Sequence, residues 1–214
     1  MAKRVLMVEG KDDQQVFMHL CGNRGLPRLD VIKPHDGVQP LLESFPVQLK
    51  ASQPGDIVGL VIDADEDVAS RWQSLRDRLI GLDYRDVPES ALSDGTILDP
   101  PSGTLLPRVG IWIMPNNQTP GILEDFLRFL VPKGSPLFEH VISSVSAIPE
   151  GERRFTRLAE PKVLIHTWLA WQEEPGKPLG TAITARYLDP SAPQVEVLVS
   201  WLTRLFFPAG DAPR

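Results

Sequence analysis

The sequence predicts an α/β protein with a mostly parallel, four-stranded sheet, helices on both of its faces, and a helical extension at the C-terminal end. Three observations lead there. Short apolar runs alternate with stretches of helical period over residues 1–130, the pattern of successive βαβ units. The run DIVGLVID at 56–63 is continuous and β-branched, as in a parallel strand covered on both faces. After Leu130 no such run recurs, and apolar residues return at helical spacing. The chain has 214 residues, about one domain at roughly 150 residues each. The expected organisation is a core over 1–130 and an extension over 131–214 packed on it as one unit.

The elements follow in order. RVLMV at 4–8 is a strand ended by Glu9-Gly10. Asp12 with Gln15 has the form of a capping box, opening a helix through residue 23. Residues 29–33 form a second strand and 37–50 a helix, interrupted in principle by Pro40 and Pro46. Residues 56–63 are the third strand. Trp72, Leu75, Leu79 and Leu82 share one face of a helix over 68–82. Residues 83–108 are loop-rich, with a small hairpin around Asp99-Pro100-Pro101-Ser102-Gly103. Residues 109–114 are the fourth strand, and 122–130 a helix. Helices then start at Ser135-Pro136, at Glu160-Pro161 (through 172), at 179–188 and at 194–207.

Composition excludes several classes. Apolar residues make up 42% and charged residues 23%, ordinary for a folded domain and too apolar for disorder. No stretch approaches the ~20 apolar residues of a membrane span, and the N-terminus lacks a signal peptide's apolar run. The lone Cys21 excludes a disulfide framework, so the expected compartment is the cytoplasm. The net charge is −6, and all of the excess lies in residues 1–130. Such acidity suits nucleic acid poorly unless a bound cation reverses the local field.

The acidic residues concentrate at strand ends. Glu9 closes the first strand, and Asp63, Asp65 and Asp67 follow the third in VIDADED. Ligands of open α/β sheets bind beyond the carboxyl ends of the strands. Spacing of two places Asp63 and Asp65 on one face of an extended chain. If the two strands are neighbours, at about 4.8 Å, their carboxylates converge and repel. A hard divalent cation relieves that repulsion, and Mg²⁺ or Mn²⁺ is the expected cofactor. Glu124 and Asp125 open a helix just after the fourth strand, at the edge of the same site or simply against the helix dipole. A calcium-binding EF-hand loop is excluded, because its sixth and twelfth positions are Val68 and Ser74. An aspartyl-phosphatase reading lacks its acidic pair on the first strand.

VEGKDD after the first strand and DADED after the third resemble the Toprim domain of topoisomerases, primases and overcoming-lysogenisation-defect nucleases. MPNNQTPGILEDFL and LAWQEEPGKPLGTAI resemble segments of a small stand-alone Toprim-like family of bacteria and archaea. The first resemblance covers residues 4–67, and the second nearly the whole chain. The Toprim resemblance implies that Glu9 is a general acid/base or metal ligand and that Asp63, Asp65 and Asp67 bind Mg²⁺; the second brings no established activity. The first further implies a nuclease or other phosphoryl-transfer enzyme acting on DNA or RNA. The alternative is a non-catalytic nucleic-acid- or protein-binding module. The related nucleases carry an ATPase, whereas this chain has no GxxxxGK[ST], so any ATPase would be a separate partner.

Remaining signals are weaker. Lys11 follows the glutamate and is either a surface lysine or a group that meets a phosphate at the start of a helix. Arg153, Arg154, Arg157 and Lys162 interleave with Glu150, Glu152 and Glu160 and read as a self-paired surface. The four histidines lack metal-ligand spacing, and His166 reads as core. Trp168, Trp171 and Trp201 read as packing residues.

Overall fold

The computed structural model describes residues 2–208; residues 209–214, the end of the expected extension, lie outside them. The sheet has five strands, ordered β2-β1-β3-β5-β4. These are β1 (Arg4–Val8), β2 (Val31–Pro34), β3 (Ile57–Asp63), β4 (Thr96–Leu98) and β5 (Arg108–Met114). β2, β1, β3 and β5 run parallel, and β4 is antiparallel to β5. The expectation of four strands is corrected by β4. Its three residues fall in the segment read as loop with a small hairpin, and Arg108 and Asp99 tie its connection to β5 at 2.7 Å. Three residues are too few to display an alternating pattern.

The helices are α1 (Lys11–Asn23), α2 (Val38–Ala51), α3 (Val68–Ile80), α4 (Leu123–Arg128), α5 (Pro136–Ser146), α6 (Glu160–Ala170), α7 (Leu179–Thr184) and α8 (Pro193–Phe206). α2 runs through Pro46 because the carbonyl that proline leaves free, Leu42 O, accepts from Arg78 Nε at 3.1 Å. α4 stops short of Leu130: Phe129 and Leu130 bond to carbonyls three residues back, tightening the last turn. α7 ends before Tyr187, where Arg186 adopts φ 63 and turns the chain back. α1 is capped by Asp13 rather than by an Asp12 and Gln15 box: its carboxylate accepts the Gly10 N–H at 3.0 Å.

Alternate residues along each strand supply two cores. Val5, Met7, Val58, Leu60, Ile62, Val109, Ile111 and Ile113 face α2 and α3. Leu6, Val8, Ile57, Val61, Trp112 and Met114 face α1 and the helices beyond Met114 in one continuous cluster. Two glycines allow α8 onto that face. A Cβ at Gly59 would lie 2.8 Å from Phe206 Cζ, and one at Gly110 would collide with Leu205. The Trp201 indole N–H donates to Thr96 O at 3.3 Å, and Arg4 Nε donates to Phe206 O at 2.9 Å. His166 is exposed, and Trp171, 42% exposed, stacks on His140, so neither is core. Among the described residues no helix is long and apolar enough to cross a membrane.

Candidate metal and catalytic site

From β1 the chain steps by way of α1 to β2, and from β3 by way of α3 toward β5, so the winding reverses between β1 and β3. A crevice beyond the strand ends at such a switch point is the usual ligand site of an open α/β sheet. Glu9 and Asp63 close those two adjacent, parallel strands. Glu9 Oε1 accepts the Asp63 backbone N–H at 2.7 Å, which fixes the glutamate against the neighbouring strand. Asp63 Oδ1 is buried and has no hydrogen-bond partner among the described residues. Asp13, in the first turn of α1, is 8% exposed, and Glu124, in the first turn of α4, is 2% exposed. A groove of about 400 Å³ is lined by six carboxylates (Glu9, Asp12, Asp13, Asp36, Asp63, Glu124) and two ammonium groups (Lys11, Lys162).

Burial and mutual repulsion raise the pKa values of Glu9, Asp13 and Asp63. Glu9 is pushed up to about 7, chiefly by burial, against the Asp63 N–H and with further repulsion from Asp13 and Asp65. Asp13 is pushed up to about 6 by burial, with Glu124 and Asp12 adding to it. Asp63 is raised well above the carboxylate range by burial, then by Glu9, Asp13, Glu124 and Asp65. Glu9, Asp13, Asp63 and Glu124 thus form one electrostatically coupled group.

The remaining expected ligands are held elsewhere. Asp65 lies past the end of β3 with φ 55, its backbone bridged to Gly121. Its carboxylate is paired with Arg71 at 2.6 Å. Asp67 caps α3, accepting from the Ala69 and Ser70 N–H groups and the Ser70 hydroxyl, and those bonds lower its pKa. Asp125 caps α4 through the Ile122 N–H at 3.0 Å and lies 3.6 Å from Arg128. Lys11 is exposed at the groove. Among the described residues no three His, Cys, Asp or Glu side chains are placed to hold one ion together. Asp13 is the member that sequence reasoning missed. It is one of two acids in the first turn of α1, and only the packing of that helix reveals its burial.

This division sets an expectation. Asp65→Asn should leave the response to a divalent cation nearly unchanged. Asp67→Ala should lower the melting temperature in the presence and absence of metal alike, as loss of a cap does. Thermal melts with and without Mn²⁺ check both; loss of the metal response in either variant would restore that residue to the ligand set.

Fold and crevice together define an α/β protein whose doubly wound sheet carries an acidic site at its switch point. The chain belongs to the family described as protein of unknown function (DUF3226), which it matches over residues 3–207. No curated protein and no solved structure matches it.

Proposed function

We propose that the protein is a divalent-metal-dependent phosphoryl-transfer enzyme, a nuclease acting on DNA or RNA through a Toprim-like site. The observation that carries this reading is the side-by-side placement of Glu9 and Asp63 at the switch point, with an unpartnered buried carboxylate oxygen on Asp63. The residues fit a hard cation. With all six carboxylates ionised against two lysines the groove would carry a formal charge of −4, and oxygen ligands with room for water and phosphate are what Mg²⁺ or Mn²⁺ takes.

Asp63 and Glu124 would hold the metal, with water and substrate phosphate completing its shell and with Asp13 and Glu9 beside them; Asp65 and Asp67 of the DxDxD pattern are engaged by Arg71 and Ser70. A metal bound there would supply charge neutralisation at the phosphate and lower the pKa of an attacking water. The chain supplies the rest. Glu9 Oε1 is anchored by the Asp63 N–H, leaving Oε2 to accept or return a proton. A carboxyl near 7 is matched to that task at neutral pH. Lys11 lines the groove mouth, in reach of a phosphate arriving at the start of α1.

The test is incubation of the purified protein with plasmid, single-stranded DNA and RNA in Mg²⁺, Mn²⁺ or EDTA. Cleavage is expected with metal, none with EDTA, and a loss of roughly 10²–10⁴-fold in Glu9→Gln, the span of general acid–base catalysis. Retention of nucleic acid without cleavage would assign the chain to a binding module working with a separate ATPase.

A further inference from the structure

We propose that Lys162 is the resident counter-cation of the carboxylate site, which a divalent metal must displace to use Glu124. The inference rests on the metal-dependent reading above and deepens it. Lys162 lies in the first turn of α6, in the C-terminal extension, and its Nζ is 3.4 Å from Glu124 Oε1. The Glu124 side chain is 3% exposed and that of Lys162 54% exposed. A carboxylate so buried needs a compensating charge. Among the described residues Lys162 is the one cation ion-paired with any of Glu9, Asp13, Asp63 and Glu124.

The basic stretch around it does not share the role. Arg154 pairs with Glu152 at 3.6 Å, and Arg153 lies over the Phe155 ring. Lys162 reaches instead across 38 positions of sequence to the core (162 − 124).

The contact has the form of an exchangeable one. It is longer than the ~2.7–2.9 Å of a tight charge-assisted bond. Its cation is a single ammonium on a flexible, solvent-exposed stem, without the fixed fork of an arginine. Lysine and metal would both draw on Glu124, and two cations crowded onto one carboxylate repel each other. Metal loading therefore expels the ammonium from Glu124 into the groove it lines. Each state then keeps a cation on the buried glutamate.

The experiment is an Mn²⁺ titration read by melting temperature on four full-length proteins: wild type, Lys162→Gln, Lys162→Arg and Arg157→Gln. Arg157 lines the neighbouring groove with Asp65 and Asp125 and serves as the control for a general field effect. Without metal, Lys162→Gln is expected to melt below wild type. Its half-saturating Mn²⁺ concentration should fall about fivefold, the size of one modest ion pair removed from competition. Arg157→Gln should move it by less than about twofold, because exposed charges are screened. Lys162→Arg should need at least as much Mn²⁺ as wild type. An unchanged or higher Mn²⁺ requirement in Lys162→Gln, with wild type still stabilised by Mn²⁺, overturns the role of Lys162 alone. An equal shift in Arg157→Gln overturns it too. A wild type that Mn²⁺ does not stabilise overturns the metal reading and this inference together.

Discussion

Cutting the chain after Leu130 is expected to leave an insoluble or molten fragment. One face of the sheet is covered by α1 and by helices of the extension, in a single apolar cluster. Val195, Leu198, Trp201, Leu202, Leu205 and Phe206 are all buried there. Each such side chain contributes roughly 1.5–3 kcal/mol on burial. Their sum is comparable with the whole stability of a domain, about 5–15 kcal/mol. Removal also exposes Trp112, which packs at 5.7 Å from Trp201, and an exposed apolar face of that kind aggregates. Expression of residues 1–130 followed by thermal circular dichroism checks this. A soluble fragment with a cooperative melt would show that the core stands alone.

Asp63→Asn is expected to change stability in opposite directions with and without metal. Asparagine keeps the shape and removes charge from a repelling group. The metal-free variant should be as stable as wild type or more stable, by about 1 kcal/mol. In a divalent cation the wild type should gain ~2.7 kcal/mol at a hundredfold excess over Kd, and the variant should lose most of that gain, together with any nuclease activity.

The same group makes metal-free stability depend on pH. Glu9 and Asp13 titrate near 7 and near 6 when folded, against ordinary values of 4.5 and 3.8. Between those limits the folded state binds more protons than the unfolded, so stability falls as pH rises. The contribution is complete below about pH 4 and lost once pH passes 7, on the order of 3 kcal/mol in all after allowance for screening. Divalent cation should flatten the decline, because metal binds the deprotonated site. Melting temperatures from pH 5 to 8, with EDTA and with Mg²⁺, measure it. A metal-free stability that climbs across that range would remove the buried, repelling carboxylates from the account.

How much of this was legible depends on range along the chain. The strand-end positions of Glu9 and Asp63 were legible because each follows or ends an apolar run that reads as a parallel strand. The same-face placement of Asp63 and Asp65 does not hold, because the spacing-of-two argument applies only while the strand continues. β3 ends at Asp63, and the left-handed turn at Asp65 delivers its carboxylate to Arg71. Asp67 and Asp125 follow helix-end rules, one capping α3 and the other α4. Asp13 and Lys162 were out of reach: the burial of one and the partner of the other come from tertiary contacts between α1, α4 and α6. β4 escaped for the opposite reason, being too short to have a period.

The most direct test of the central claim is Mn²⁺ binding followed by the electron paramagnetic resonance signal of the free ion at pH 8. The wild type is expected to remove Mn²⁺ from the free pool to a saturating, stoichiometric level. Mg²⁺ should return it, and Asp63→Asn should bind far less. A free-ion signal undiminished at every protein concentration, up to millimolar, would contradict a metal site at the ends of β1 and β3.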